Sequence, residues 1–504
     1  MGRRYLPLLV FGAVHLASSL PFLLSRAPGT DAALVGFPLD DVWIHLVYAR
    51  SFAAFEGFAW NPGQLEAGFT SPLWAMLLAP AFWLPALSTA GLVLVVKGLG
   101  IALGVVTSLL AHRVVTRLSG KPRAGLVAGL LIAAEPSLSF AKLSGMEVLL
   151  ASATVLFTLD ALLGEQPVRA GIGLGLAPLA RPENAVFSAF AALVLGLMLF
   201  ERAEVRRLWR ALAAPCAAGA AWIVYNLVVT GHPLPATFYA KHEPMALGVF
   251  ASNLRAIAGP ITKQVGASAQ GIGSVFALGG AVLLIVRRSR LTATARRCAA
   301  LFLAYPLLYT LGVAWAHALE DPLAFYFARY FQPALPFLLA LLGVGLVSAC
   351  CWAWPRGRLA RVAAVLTSLV PAGGMAAVLL ATSARFAWDC QTIQELNVQV
   401  ARWIAAQTSP EDWVGTADAG AVRFFGSAKT LDLAGLNSHR VLWSSPRAEV
   451  DRLGARYLVL FPQILTGQVD GYAKVRSFKV ERYTICNCPQ SELAIYERIG
   501  SQDL

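Results

Sequence analysis

Charge is scarce in this sequence. Only 14% of its 504 residues are Asp, Glu, Lys or Arg, against roughly a quarter in an ordinary soluble domain, and this excludes a soluble enzyme. Acids are the scarcer sign, 28 against 41 bases, and cysteine and histidine number seven each. No glycine-rich phosphate loop, internal repeat or low-complexity tract is visible, so neither a nucleotide-binding enzyme nor a repeat-built transporter gains support. What fills the chain instead is apolar: 57% of the residues are hydrophobic and the mean hydropathy is +0.62.

The net charge of +13 points to nucleic acid only if it sits on a soluble surface, and it does not. Residues 1–383 hold 28 Lys/Arg against 15 Asp/Glu, whereas residues 384–504 hold 13 of each. The excess lies between apolar runs, at Arg3/Arg4, Arg113 to Arg123, Arg169, Arg202 to Arg210, Arg287 to Arg297 and Arg356 to Arg361. Such clusters report membrane topology, and no nucleic-acid partner is expected. Cys216, Cys298, Cys350 and Cys351 fall in apolar runs and read as small buried hydrophobes. In the polar tail Cys390 has Cys486 and Cys488 as alternative disulfide partners if the tail lies outside the cytoplasm.

With each cationic cluster on the cytoplasmic side, the apolar runs predict eleven membrane helices. They lie near 6–24, 90–112, 125–141, 148–164, 170–180, 184–200, 211–230, 272–286, 298–316, 334–353 and 362–383. The N-terminus is then cytoplasmic and the tail extracytoplasmic. The expected architecture is a polytopic α-helical membrane domain, 1–383, followed by a soluble α/β domain, 384–504. Two outer connections, 25–89 and 231–271, are too long to be simple turns, and function concentrates in such loops. In the first, Val42 to Phe55 carries Ile44, Val47, Tyr48, Phe52 and Phe55 on one stripe, the spacing of an amphipathic helix lying on the membrane surface. Ser71 to Ala86 reads as a juxtamembrane element.

The tail reads as a helix over Gln391 to Ala406, strands near Trp413 to Thr416, Thr430 to Leu433, Tyr457 to Phe461, Val475 to Val480 and Leu493 to Arg498, and a polar helix over Ser445 to Leu453. Asp418-Ala-Gly420 and Asp432 to Asn437 fall at strand ends, where α/β domains bind ligands and where ordinary turns also occur.

The first outer loop opens on Asp40 and Asp41, at the start of the expected helix. Asp40 suits an N-cap, but one cap needs only one acid, and a carboxylate at the mouth of a membrane cavity can serve as a general base. The other outer helix ends carry Lys142, Glu147, Arg181, Glu183, His232, Lys241 and Arg329. Taken singly these are internal ion pairs or snorkelling cations as readily as ligands. Taken together they suit an anionic lipid headgroup whose reacting end is attacked.

Asp40-Asp41 through Tyr48-Ala-Arg50, then Gly57, Asn61-Pro-Gly63, Glu66 and Gly68-Phe-Thr-Ser-Pro-Leu-Trp74, resembles the first outer loop of the GT-C glycosyltransferases. The mycobacterial terminal arabinofuranosyltransferase group is the nearest in pattern. Ser144-Gly-Met-Glu147, Arg181-Pro-Glu183, Leu234 to Lys241, Arg329-Tyr330 and Asp432 to Asn437 match later blocks in the same order. Leu65 and Ala67 depart from the family's Gly-Glu-x-x-Glu-Gly run. The resemblance implies transfer of a sugar, arabinofuranose being one candidate, from a polyprenyl-phosphate donor to a hydroxyl of a cell-envelope glycan, with inversion, at the outer face of a bacterial inner membrane. It implies Asp41 or Asp40 as base and Lys241, Arg329, Arg181 and His232 on the donor phosphate. His45, Glu147, Glu183, Tyr239, Asp432 and Asn437 would bind substrate or support the site. No cofactor is required by this reading. Asp40, Asp41 and Glu147 are the hard ligands available to a divalent ion, although adjacent acids do not establish a metal site. A polyprenyl-lipid flippase and a glycan-binding scaffold are the competing readings.

Overall fold

The computed structural model describes residues 2–27, 30–241, 248–254, 272–316, 329–462, 469–483, 485 and 491–499. Much of the second long outer connection, 231–271, lies outside these, as do Cys486 and Cys488. Cys390 is a buried thiol whose Sγ is 3.9 Å from the Gly36 carbonyl oxygen.

All eleven apolar runs are helical, and the chain is a multi-pass membrane protein. Among the described residues six helices have the length and hydropathy of a full span, or seven if one bent pair is counted together. Of the remaining runs, 362–383 lies within the 36-residue helix Arg358–Ile393, and three are shorter than a span needs. Val148–Leu163, Pro167–Ala180 and Ile272–Val286 have 16, 14 and 15 residues, about 21 to 24 Å at 1.5 Å per residue, against a hydrocarbon core of about 30 Å. The bent pair, Pro122–Ala134 and Pro136–Leu143, turns by 61°. Its cause is local: Pro136 cannot donate to the preceding turn, and it pushes Glu135 to an extended ψ of 126°. The Glu135 carboxylate then accepts the Leu138 N–H at 2.6 Å and caps the second half.

The chain folds as two compact units. The first gathers Met1–Leu23, Lys97–Ala221 and Pro244–Ser383; the second gathers Leu24–Val96, Trp222–Glu243 and Ala384–Leu504. The first is helical, and its helices approach to backbone contact at small residues, the packing expected where lipid offers no hydrophobic drive. A Cβ at Gly280 would run into the Leu341 carbonyl, one at Gly345 into that of Phe276, and one at Gly171 into that of Ala211.

The second unit is built on a five-stranded sheet. Its strands are β3 (Trp413–Thr416), β4 (Lys429–Asp432), β5 (Tyr457–Leu460), β6 (Tyr472–Lys479) and β7 (Glu492–Arg498), following a small hairpin of β1 (Ala59–Asn61) and β2 (Gln64–Leu65). The sheet order is β4-β3-β5-β7-β6; β3 runs parallel to β4 and β5, and β7 antiparallel to β5 and β6. Leu431, Leu433, Val450, Leu458 and Leu460 form its core. The helix expected at Gln391 is not separate: Arg358–Ile393 runs through a π-turn, Gln394–Val398, into Gln399–Gln407.

The outer-loop helix stands at Asp41–Ala53, but it does not lie on a membrane surface. Ten of its 13 residues are buried, because Val42, Trp43, Leu46 and Ala49 make the face opposite the expected stripe apolar as well. It is an interior helix of the second unit.

Candidate functional site

In the second unit the loop and the tail are stitched together by polar contacts between residues far apart in sequence. The turn Asn61-Pro62-Gly63, with Gly63 at φ +70°, makes the hairpin that delivers Trp60 and Asn61 to the sheet. Strand β4 is an edge strand, whose outer N–H and C=O groups need partners. Asn61 supplies them: its Oδ1 accepts the Thr430 N–H at 2.8 Å and its Nδ2 donates to the Thr430 carbonyl at 3.1 Å. Trp60 Nε1 donates to the same carbonyl at 3.0 Å, and Arg423 Nε donates to the Trp60 carbonyl at 2.7 Å. Tyr48 OH donates to Asn437 Oδ1 at 2.9 Å, and His439 Nδ1 lies 2.9 Å from Glu66 Oε2.

Asp40 occupies the N-cap position of its own helix, yet its side chain makes no bond there. It caps another helix instead. The Gly420 and Ala421 N–H groups, at the start of Ala419–Phe425, donate to Asp40 Oδ2 and Oδ1 at 2.7 and 2.9 Å. A Cβ at position 420 would collide with the Asp40 carbonyl and come within 2.7 Å of Oδ2, so glycine is required by the close approach. Burial and the Asp418 carboxylate push Asp40 well above the usual carboxylate range, while the two N–H bonds oppose. Asp418, at the C-terminal end of β3, is pushed up to about 6 by burial; a 3.0 Å bond from Asn397 Nδ2 opposes and the charge of Asp41 adds. Asp41, half-buried at the first turn of its helix, is therefore the third member of a carboxylate group in which Asp40 is committed to backbone donors. His45, one turn on, is buried.

The Asp432 to Asn437 turn is self-contained. Asp432 accepts from the Ala434 N–H at 2.9 Å and from the Asn437 backbone and side-chain N–H at 2.9 and 2.8 Å. Both residues are fully buried, and burial pushes Asp432 up to about 6 against the Asn437 bonds. They hold the turn and Tyr48. An open surface lies nearby in the same unit. His232, Tyr239 and the exposed Trp443 form an aromatic group, with ring centroids 4.4 Å apart for His232 and Trp443 and 5.7 Å for Tyr239 and Trp443. Lys241 closes the short Ala236–Lys241 helix that carries Tyr239.

The first unit holds the other sequence candidates. Arg181 is buried between Glu147, 3.3 Å away, and Glu183, 3.1 Å away. Its charge is already matched, and it also lies over the Tyr330 ring. Arg329 Nη2 donates to Tyr330 OH at 3.2 Å. Lys142 donates to Ser18 Oγ at 2.7 Å and to the His15 carbonyl at 3.2 Å. Among the described residues no group of three or more His, Cys, Asp or Glu side chains is placed to hold a metal ion. Asp40, Asp41 and Glu147 are no such set, since both Asp40 oxygens accept backbone N–H groups and Glu147 is paired with Arg181.

Sequence reading missed Asn397, His439, Arg423 and Trp443, for which no motif was available; it placed Asp418 and Gly420 at a strand end without linking them to Asp40.

This architecture is the GT-C fold. It is similar to ArnT from Cupriavidus metallidurans, solved bound to undecaprenyl phosphate, with a TM-score of 0.58, 14% identity and 99% of each chain covered. It is similar to the Archaeoglobus fulgidus oligosaccharyltransferase, with a TM-score of 0.57 and 14% identity over 92% of this chain and 70% of that one. For the mycobacterial arabinofuranosyltransferase AftD the TM-score is 0.51 and the identity 15%, over 99% of this chain and 42% of that one. A domain of unknown function (DUF8728) matches residues 388–496. No curated protein matches the sequence.

Proposed function

We propose that the protein is an inverting glycosyltransferase that moves a sugar from a polyprenyl-phosphate donor to a hydroxyl of a cell-envelope glycan. The reaction is placed at the outer face of a bacterial inner membrane, with the N-terminus cytoplasmic and the 384–504 domain outside. The observation that supports the reading is the commitment of Asp40 to the Gly420 and Ala421 N–H groups; we assign the chemistry to the half-buried Asp41 beside it. Support for the donor class comes from the fold, since ArnT was solved with undecaprenyl phosphate and the A. fulgidus enzyme with a dolichol-phosphate.

In this mechanism Asp41 takes the proton of the acceptor hydroxyl as its oxygen attacks the anomeric carbon. The bond from that carbon to the phosphate oxygen breaks on the opposite face, and the polyprenyl phosphate departs with the electron pair. Lys241 is assigned to the phosphate charge, and the His232, Tyr239 and Trp443 rings to an apolar sugar face. Arabinofuranose is the candidate sugar that the sequence resemblance favours.

The test is turnover in detergent, where no second compartment exists and a flippase has nothing to do. Purified protein given polyprenyl-phosphate sugars should release free polyprenyl phosphate and glycosylate an acceptor. Asp41→Asn should lower the rate by about 10² to 10⁴ while leaving donor binding and the melting midpoint in place. Wild-type turnover by the variant would remove Asp41 from the mechanism.

A further inference from the structure

The first unit contains a groove of about 1410 Å³ that the proposed reaction does not use. Its walls are apolar, from Ala13 and Ala17 on the first helix, Leu126 and Leu130 on Pro122–Ala134, and Leu346 and Leu379 on two later helices. Ser18 and Ala134 line it at the end marked by the bond from Ser18 Oγ to the Ala133 carbonyl, and Arg123 and Trp354 at the end marked by the bond from Lys121 Nζ to Ser348 Oγ.

That end is cationic. Arg361 lies over the Trp354 ring at 5.5 Å, Arg356 lies over Trp352 and donates to its carbonyl, and Lys121 Nζ donates to Ser348 Oγ at 3.2 Å. Arg123, Arg356 and Arg361 are exposed. A basic mouth between membrane helices, opening into an apolar slot, is the chemistry that holds an anionic lipid headgroup above its tails.

The length of the slot selects among lipids. From Arg123 to Ala134 the helix rises about 16 Å, close to half of a hydrocarbon core of about 30 Å. The groove is thus one leaflet deep. A glycerophospholipid has chains of that length, whereas a polyprenyl tail is several times longer. Phospholipid is also the bulk solvent of these helices, so mass action fills the slot and the cations choose the anionic fraction.

We propose that this groove is a binding site for one anionic glycerophospholipid, in the leaflet on the side of the Arg123 and Arg356 to Arg361 clusters. It is independent of the glycosyl-transfer site.

Purified protein, delipidated in detergent, is titrated with phosphatidylglycerol, phosphatidylcholine of the same chains, and undecaprenyl phosphate, and bound lipid is counted by native mass spectrometry. One phosphatidylglycerol should bind saturably, with phosphatidylcholine weaker by about tenfold at low salt. An Arg123→Gln, Arg361→Gln double variant should lose that preference. Ala17→Phe, which fills the slot and leaves the charge alone, should lower the affinity for both phospholipids. Equal binding of the two phospholipids overturns the proposal. So does an unchanged preference in the double variant, or a phosphatidylglycerol that undecaprenyl phosphate displaces at equal concentration.

Discussion

Replacing Asp418 by Asn should stabilise the protein, in a way that depends on pH. Burial and the charge of Asp41 raise Asp418 from 3.8 to about 6 in the folded state. A raised carboxyl binds its proton more tightly in the folded chain than in the unfolded one. Between roughly pH 4 and 6 the native state therefore holds more protons, and the unfolding free energy falls as pH rises through that window. At 1.36 kcal/mol per unit the rise corresponds to about 3 kcal/mol of stability, present below the unfolded value and lost by neutral pH. The amide carries no charge to desolvate, and its oxygen still accepts the bond that Asn397 Nδ2 gives at 3.0 Å. For a unit of roughly two hundred residues the midpoint should rise by about 5 to 10 °C at pH 7.5, with little change at pH 4.5. Intrinsic-fluorescence melting in detergent across that range measures both. A variant that melts lower than wild type at pH 7.5, or gains as much at pH 4.5, would refute the reasoning.

The remaining predictions concern the same unit. Gly420→Ala should cost about 2 to 5 kcal/mol, because its Cβ displaces Asp40 from two buried hydrogen bonds; thermal melting reads this, and an unchanged midpoint counts against the close approach. Trp443→Ala should leave the melting midpoint alone, since the ring is exposed, and raise the acceptor KM about fivefold or more, the scale of a lost aromatic contact. An unchanged KM would leave the aromatic group without a role. Pro62→Cys, at the exposed turn beside Gly63, should react with an impermeant thiol reagent in intact spheroplasts, and reaction only after lysis would invert the topology.

Hydropathy located every membrane helix because apolar runs and cationic breaks are both written locally. It does not see that Glu135 and Pro136 bend one of them or that three others are short. The sheet was legible strand by strand from short strand-like runs separated by turns, and the order β4-β3-β5-β7-β6 was not, because register depends on partners far along the chain. Asp40 shows the same limit within the candidate site. Its sequence neighbours say N-cap, and only the fold shows that the helix it caps begins at Ala419. The stripe from Ile44 to Phe55 read as a surface helix because a hydrophobic period records one face and is silent about what covers the other.

The bonds between Asp40 and the Ala419–Phe425 helix join residues 380 and 381 positions apart. On a ribosome adding about 5 to 20 residues per second, the Asp41 loop is made about 20 to 80 seconds before its partners emerge. During that interval Asp40, Asn61 and Glu66 lack Gly420, Thr430 and His439, and the loop has no sheet to fold on. Assembly of this unit therefore waits for residues 420 to 439. A chain arrested before residue 420 would insert its membrane helices and yet leave the loop unformed, so the geometry makes the arrival of the 384–504 domain the step that sets Asp41 in place.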